Sequence, residues 1–190
     1  MTRASEGSSD LARLALQLPA RGRVGLAVVM ACLALNRLRG QPDYSLARHA
    51  FELTRRWFDG ERFNPGRLED TLQDDDDEGI DTRKDFSQSP HERATWVMLG
   101  NAVAYIAFHA YQSIGRYPSI CYVDESNLDD IDKELRAVSP HFVRVVAQAA
   151  ECLKEDPAVS FAQLRRKLSR DFAEDMGPQD DDSTGSMGRR

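Results

Sequence analysis

Residues 89–115 read SPHERATWVMLGNAVAYIAFHAYQSIG, and this stretch decides the fold. Ser89 can accept from the third helical amide while Glu92 reaches back, a capping box with Pro90 at the first helical position. Behind it, Trp96, Leu99, Val103, Ile106, Ala110 and Ile114 recur at helical spacing, and Gly115 can end the helix in the left-handed conformation. Tyr105, Phe108 and Tyr111 add apolar surface off that stripe, so neighbours must cover the helix on several sides. Ala94 to Gly115 is also 22 residues long without one Asp, Glu, Lys or Arg, which invites a membrane reading. Thr95, Asn101, His109, Gln112 and Ser113 oppose that reading, and Arg93 and Arg116 give no orientation. The expectation is an all-α fold, a single-domain multi-helix bundle around a buried central helix from Pro90 to Ile114.

Working outward, the chain is punctuated as helices almost throughout. Leu11, Leu14 and Leu18 form a short element stopped by Pro19. Val24, Val28, Ala31, Leu35 and Leu38 mark a second helix, broken by Gly40 and Pro42; its 12-residue apolar run is too short to cross a bilayer. Asp43 or Ser45 caps a third, with Leu46, Ala50, Leu53 and Trp57 on one face and Gly60 after it. Asn64-Pro65 opens a fourth through Leu72. Beyond the central helix, Pro118 to Val123 reads as a short extended piece. Ser126 starts a helix with Leu128, Ile131, Leu135 and Val138, and Ser139-Pro140 starts one with Phe142, Val146, Ala149 and Leu153. Phe161, Leu164, Leu168 and Phe172 form the last, after Asp156-Pro157. Six to eight helices are expected, with residues 1–8 a flexible lead, 9–176 the helical domain and 177–190 a disordered tail.

The chemistry-bearing residues are sparse. Cys32, Cys121 and Cys152 form no CxxC pair, which argues against a disulfide framework or zinc ribbon and for a reducing compartment. The N-terminus lacks the apolar stretch of a signal peptide. No nucleophile elbow, phosphate loop or dinucleotide fingerprint occurs, and a zincin reading of His91-Glu92 fails because position 95 is threonine. A Cys121–His109 catalytic pair is weaker than a buried thiol beside a hydrogen-bonded core histidine. Asp74 to Gly79 resembles the start of a calcium loop, but Asp81 and Asp85 are wrong at its eighth and twelfth positions. A mobile, solvated acidic loop over residues 73–87 is the better reading. No enzyme, cofactor or metal site is expected.

Charge layout is more telling than the net value of −6. Residues 1–72 carry 11 basic and 8 acidic groups, residues 73–134 carry 5 and 14, and the remainder balances at 9 each. The excess of nine negative charges lies in the Asp-rich loop and in the stretch from Asp124 to Glu134. There Glu125, Asp129 and Asp132 share one helix face, with Asp130 beside them. Such crowding is tolerated when solvated or when met by a basic partner. The basic set Arg165, Arg166, Lys167 and Arg170 is balanced by acids elsewhere, so nucleic acid is a poor partner.

Arg55-Arg56-Trp57-Phe58-Asp59-Gly60, then Trp96, Gly100-Asn101-Ala102, Ala104-Tyr105 and Ala110-Tyr111, then Pro118 and Val123-Asp124-Glu125, together resemble an all-helical family of bacterial immunity proteins. These accompany polymorphic toxins, including those of contact-dependent inhibition. The likeness runs over residues 45–150 and contains no catalytic signature. It implies a cytoplasmic protein that binds the C-terminal domain of one cognate toxin, with Trp57 and Glu125 as carried-over features. At its stripe position Trp57 fits a core anchor better than a contact residue. The acidic segments then supply the partner-binding residues: Tyr122, Asp124, Glu125, Asp129, Asp130 and Asp132, with Asp75, Asp76 and Asp77 of the loop. No nucleic-acid or membrane partner is implied, and the oligomeric state is left open. A helical adaptor without a toxin partner has the same sequence character, and a neighbouring toxin gene separates the two.

Overall fold

A computed structural model describes residues 10–73, 79–120, 123–124 and 127–176. They form ten helices, and no strand occurs among the described residues. In order these are α1 (Asp10–Leu16), α2 (Ala20–Arg37), α3 (Tyr44–Phe58), α4 (Gly66–Leu72), α5 (Ile80–Phe86), α6 (Pro90–Gln112), α7 (Asn127–Val138), α8 (Pro140–Glu155), α9 (Phe161–Leu168) and α10 (Ala173–Met176). The count exceeds the expected six to eight because α5 and α10 were not foreseen.

The bundle is built around the buried α6, as expected, with α2 buried beside it as a second central helix. Every residue from Val24 to Leu35 of α2 is buried, and α6 is buried from Ala94 through Leu99, Val103 and Ile106 to Ala110 apart from the part-exposed Val97, Asn101, Phe108 and His109. The two helices pack on each other; α3, α4, α5 and α7 complete the wall around α6, while α1, α3, α8 and α10 cover α2. Burying one Leu or Val side chain contributes about 1.5–3 kcal/mol, so this double centre is a large share of the fold's hydrophobic stabilisation. Gly25 sets the spacing between α2 and α8. A Cβ there would lie 2.7 Å from Leu153 Cδ2 and 3.2 Å from Phe58 Cε2, so any other residue at this position requires the Leu153 side chain to shift.

Helix ends follow local chemistry closely. Ser89 Oγ accepts from the Glu92 amide at 3.1 Å, while Glu92 Oε2 accepts from the Gln88 amide at 2.8 Å, one residue before the expected partner. A full capping box opens α9 instead: the Gln163 amide donates to Ser160 Oγ, and Ser160 N–H to Gln163 Oε1. At the far end of α6, Gly115 takes φ +68° and the Arg116 amide donates back to the Tyr111 carbonyl at 3.0 Å. That six-to-one bond turns the chain sharply off the helix.

Residues 73–87 are not one mobile loop. Residues 80–86 form α5, which packs across α6 with Ile80 only 1% exposed, and Arg83 pairs with Asp43 at 3.5 Å. Asp81 and Asp85, the two positions that spoil the calcium pattern, are helical residues of α5. Burial pushes the Asp81 carboxyl above its usual range, with Lys84 opposing. Asp74 to Glu78, the cap expected at Ser126 and the tail from residue 177 lie outside the described residues. Phe172, expected to extend the last helix, instead precedes α10.

Helix α10 has four residues and is fastened by polar contacts. Asn36 Nδ2 donates to the Asp175 carbonyl at 2.8 Å, and the Asp175 carboxylate lies 2.8 Å from His141 Nε2 and 3.9 Å from an Arg37 nitrogen. Arg165 donates to the Met176 carbonyl at 2.9 Å. Beneath this clasp Cys32 is buried, and burial pushes its thiol up to about 11.

Candidate partner-binding surface

The site grows from α4. Asn64 Oδ1 accepts from the Gly66 amide at 3.1 Å and sets the start of the helix. Leu68 and Leu72 then face the core, and Glu69 sits between them on the same face, 5% exposed. Burying a carboxylate costs several kcal/mol unless hydrogen bonds replace its water. Here they do. Tyr111 Oη donates to Glu69 Oε2, as does Ser119 Oγ at 3.0 Å; the Ser119 and Ile120 amides donate to Oε1 at 2.7 and 3.1 Å.

Desolvation pushes the Glu69 carboxyl up, but donations from Tyr111, Ile120 and Ser119 outweigh it and hold it below the usual carboxylate range. Burial, then the bond to Glu69, pushes the Tyr111 phenol up to about 12. The node therefore exists as carboxylate plus phenol at neutral pH. Asp70 and Arg116 flank that phenol closely enough to act on it electrostatically.

What the node holds is the segment after α6. Gly115 fixes its beginning, and Glu69 fixes Ser119 and Ile120. Between these two fixed points Tyr117 stands 83% exposed, with Ile114 51% exposed at the turn before it. Ile120 packs partly on the core, Val123 donates its amide to the Ile120 carbonyl at 3.1 Å, and its side chain is buried. Asp124 follows, half-buried.

Of the residues expected to contact a partner, Asp124 is thus placed directly after the fastened segment. Asp129, Asp130 and Asp132 belong to α7, their side chains outside the description. Tyr122, Glu125, Asp75, Asp76 and Asp77 lie outside the described residues, as does Cys121. His109 stacks edge-on with Tyr105 and Phe108 at 4.6 and 5.5 Å between ring centres. Trp57 packs its ring against the core at half exposure, with the Arg62 guanidinium 5.1 Å over its face. An open cavity of about 370 Å³ lies where α2, α6 and α7 meet, lined by Arg37, Gln41, His91 and Glu92 among others. Its groups serve helix ends: Glu92 caps α6, and a His91 ring nitrogen lies 3.0 Å from the Ala137 carbonyl.

Sequence reasoning missed Glu69 and the donors it gathers. Its one signal was an acid on the stripe Pro65, Leu68, Glu69, Leu72, where a solvated charge does not belong.

The sequence model of the immunity protein Imm6 family matches residues 22–137, from the start of α2 to the end of α7, and the chain belongs to that family. The match begins earlier and ends earlier than the residues 45–150 that carried the resemblance. No curated protein and no solved structure matches the chain. No helix of the described residues is long and apolar enough to cross a membrane.

Proposed function

We propose that this protein protects its host cell by binding the C-terminal domain of a cognate toxin stoichiometrically in the cytoplasm, with no chemistry of its own. Membership of the Imm6 immunity family over residues 22–137 carries the reading. The charge layout supports its form. The nine excess negative charges of residues 73–134 all fall within the matched segment, and they suit a toxin with a basic cleft, as nucleases have. Asp124, Glu125, Asp129, Asp130 and Asp132, with Asp75, Asp76 and Asp77, then steer the encounter, and Tyr122 joins them at the contact. Electrostatic steering chiefly speeds capture, which matters when an arriving toxin must be bound before it acts.

The test is the kinetics of a triple variant, Glu125→Lys, Asp129→Lys and Asp132→Lys, against the toxin domain encoded by the adjacent upstream open reading frame. Association should slow about tenfold or more at low salt and lose most of its salt dependence, while the helical circular dichroism is unchanged. Equal association rates at low salt would make the acidic helix a solvated face. A chain with no neighbouring toxin to bind would be a helical adaptor instead.

A further inference from the structure

We infer that the turn bearing Ile114 and Tyr117 is the apolar anchor of the toxin contact, presented rigidly by Glu69; this rests on the toxin-binding reading above. The occupant is the toxin domain, at a basic surface with an apolar recess that receives the Tyr117 ring.

An exposed tyrosine alone says little, since single apolar side chains are common on surfaces. The support beneath this one is what sets it apart. A buried carboxylate spends both oxygens on the two amides and the hydroxyl that follow Tyr117 by two and three residues. The preceding side is locked by the Gly115 turn and the Arg116-to-Tyr111 bond. Neither device is needed to bury Tyr117, which is 83% exposed. Both fix the backbone on either side of it. Tyrosine held in one place offers a large contact area at small entropic cost, the character of an interface hot spot. Order already present in the unbound chain is a cost removed from binding.

The surroundings point to a basic partner. Asp70 lies beside the Glu69–Tyr111 node, and the fastened segment runs through Val123 to Asp124 and the acidic stretch beyond. Arg116 is the neighbouring cation, and residues 73–134 remain at nine excess acids with it included. An apolar centre with a charged margin is the usual anatomy of a specific interface. Every residue of this arrangement, from Glu69 to Asp124, falls within the family match.

The experiment compares the full-length protein with Tyr117→Ala, Ile114→Ala and Glu69→Gln, by titration against the purified toxin domain of the adjacent upstream open reading frame. Leu16→Ala is the control, since Leu16 is 75% exposed but lies on α1 before the matched residues. Tyr117→Ala should weaken binding by about 30-fold or more, mainly through faster dissociation, with unchanged melting temperature. Ile114→Ala should weaken it several-fold and Leu16→Ala leave it unchanged. Glu69→Gln should raise amide exchange at Ser119 and Ile120 and weaken binding about tenfold, with Tyr117 still in place.

If the parent binds the toxin and Tyr117→Ala binds equally well, the anchor is overturned while the toxin reading stands. If Glu69→Gln frees the two amides yet binds as the parent does, the presenting role of Glu69 is overturned. A parent that fails to bind the toxin overturns the toxin reading and the anchor together.

Discussion

Two carboxylates fasten two segments at the margin of the core, and they do it with opposite partners. Glu69 gathers a phenol, a hydroxyl and two backbone amides, all neutral, and is 5% exposed. Asp175 faces His141 and Arg37 with a side chain 11% exposed, but those partners are 35% and 52% exposed. The first is a buried charge satisfied by dipoles, so each donor lost leaves a larger unmet desolvation cost. The second is a charge met by an imidazole and a guanidinium at the margin, where water and salt compete. The difference sets how each segment is tied: Ser119 and Ile120 to a buried charge, α10 to one at the margin.

The largest contrast should appear on truncation. Glu69→Ala removes the acceptor of four hydrogen bonds and should cost about 2–4 kcal/mol in urea unfolding. Asp175→Ala should cost no more than about 1 kcal/mol. Equal losses would break the distinction between a buried node and a marginal clasp.

A smaller effect lies in pH. The folded Glu69 carboxyl is held below its ordinary value, so its contribution is present above the unfolded pKa and is lost as pH falls through the folded one. Tyr111 runs the other way. Its phenol is raised from 10.0 to about 12, so its contribution is complete below the unfolded value and is lost as pH rises through that interval. Tyr111→Phe should therefore flatten the alkaline limb of the stability curve, and Glu69→Gln the acid limb; an unchanged curve in both would show the node to be solvated.

Salt should give the smallest signal. Raising ionic strength from about 0.05 to about 0.5 M should erase most of the stability gap between Asp175→Asn and the parent, a few tenths of a kcal/mol, and leave that of Glu69→Gln in place. A Glu69 gap that shrinks equally would mean its donors do not shield it.

The helices were legible where apolar spacing was long or a cap was explicit. Ser89-Pro90 marked α6, Ser139-Pro140 marked α8, and Gly115 marked the turn, because each is a local rule acting within one helix turn. Helix α5 escaped because Ile80 is its only buried residue in a charged stretch, and packing on α6, not spacing, makes it a helix. The box at Ser160 and Gln163 was readable but overshadowed by Asp156-Pro157. Glu69 was beyond reach for a different reason. Its donors Tyr111, Ser119 and Ile120 are 42 to 51 residues away, and no local pattern ties them to α4. The acidic stretch was legible as composition, and of its residues the fold places Asp124 beside the fastened segment.

The notch at Gly25 bears on what counts as one heritable unit. It lies inside the family match, yet the side chain it admits, Leu153, lies on α8, beyond residue 137 where the match stops. A lock and its key have thus been divided by a boundary drawn from sequence likeness alone. The family match ends at α7, whereas the core runs on through α8, whose buried Phe142, Val146, Ala149 and Leu153 pack in one cluster with α2. A side chain at position 25 would therefore press on an α8 residue that lies outside the family match.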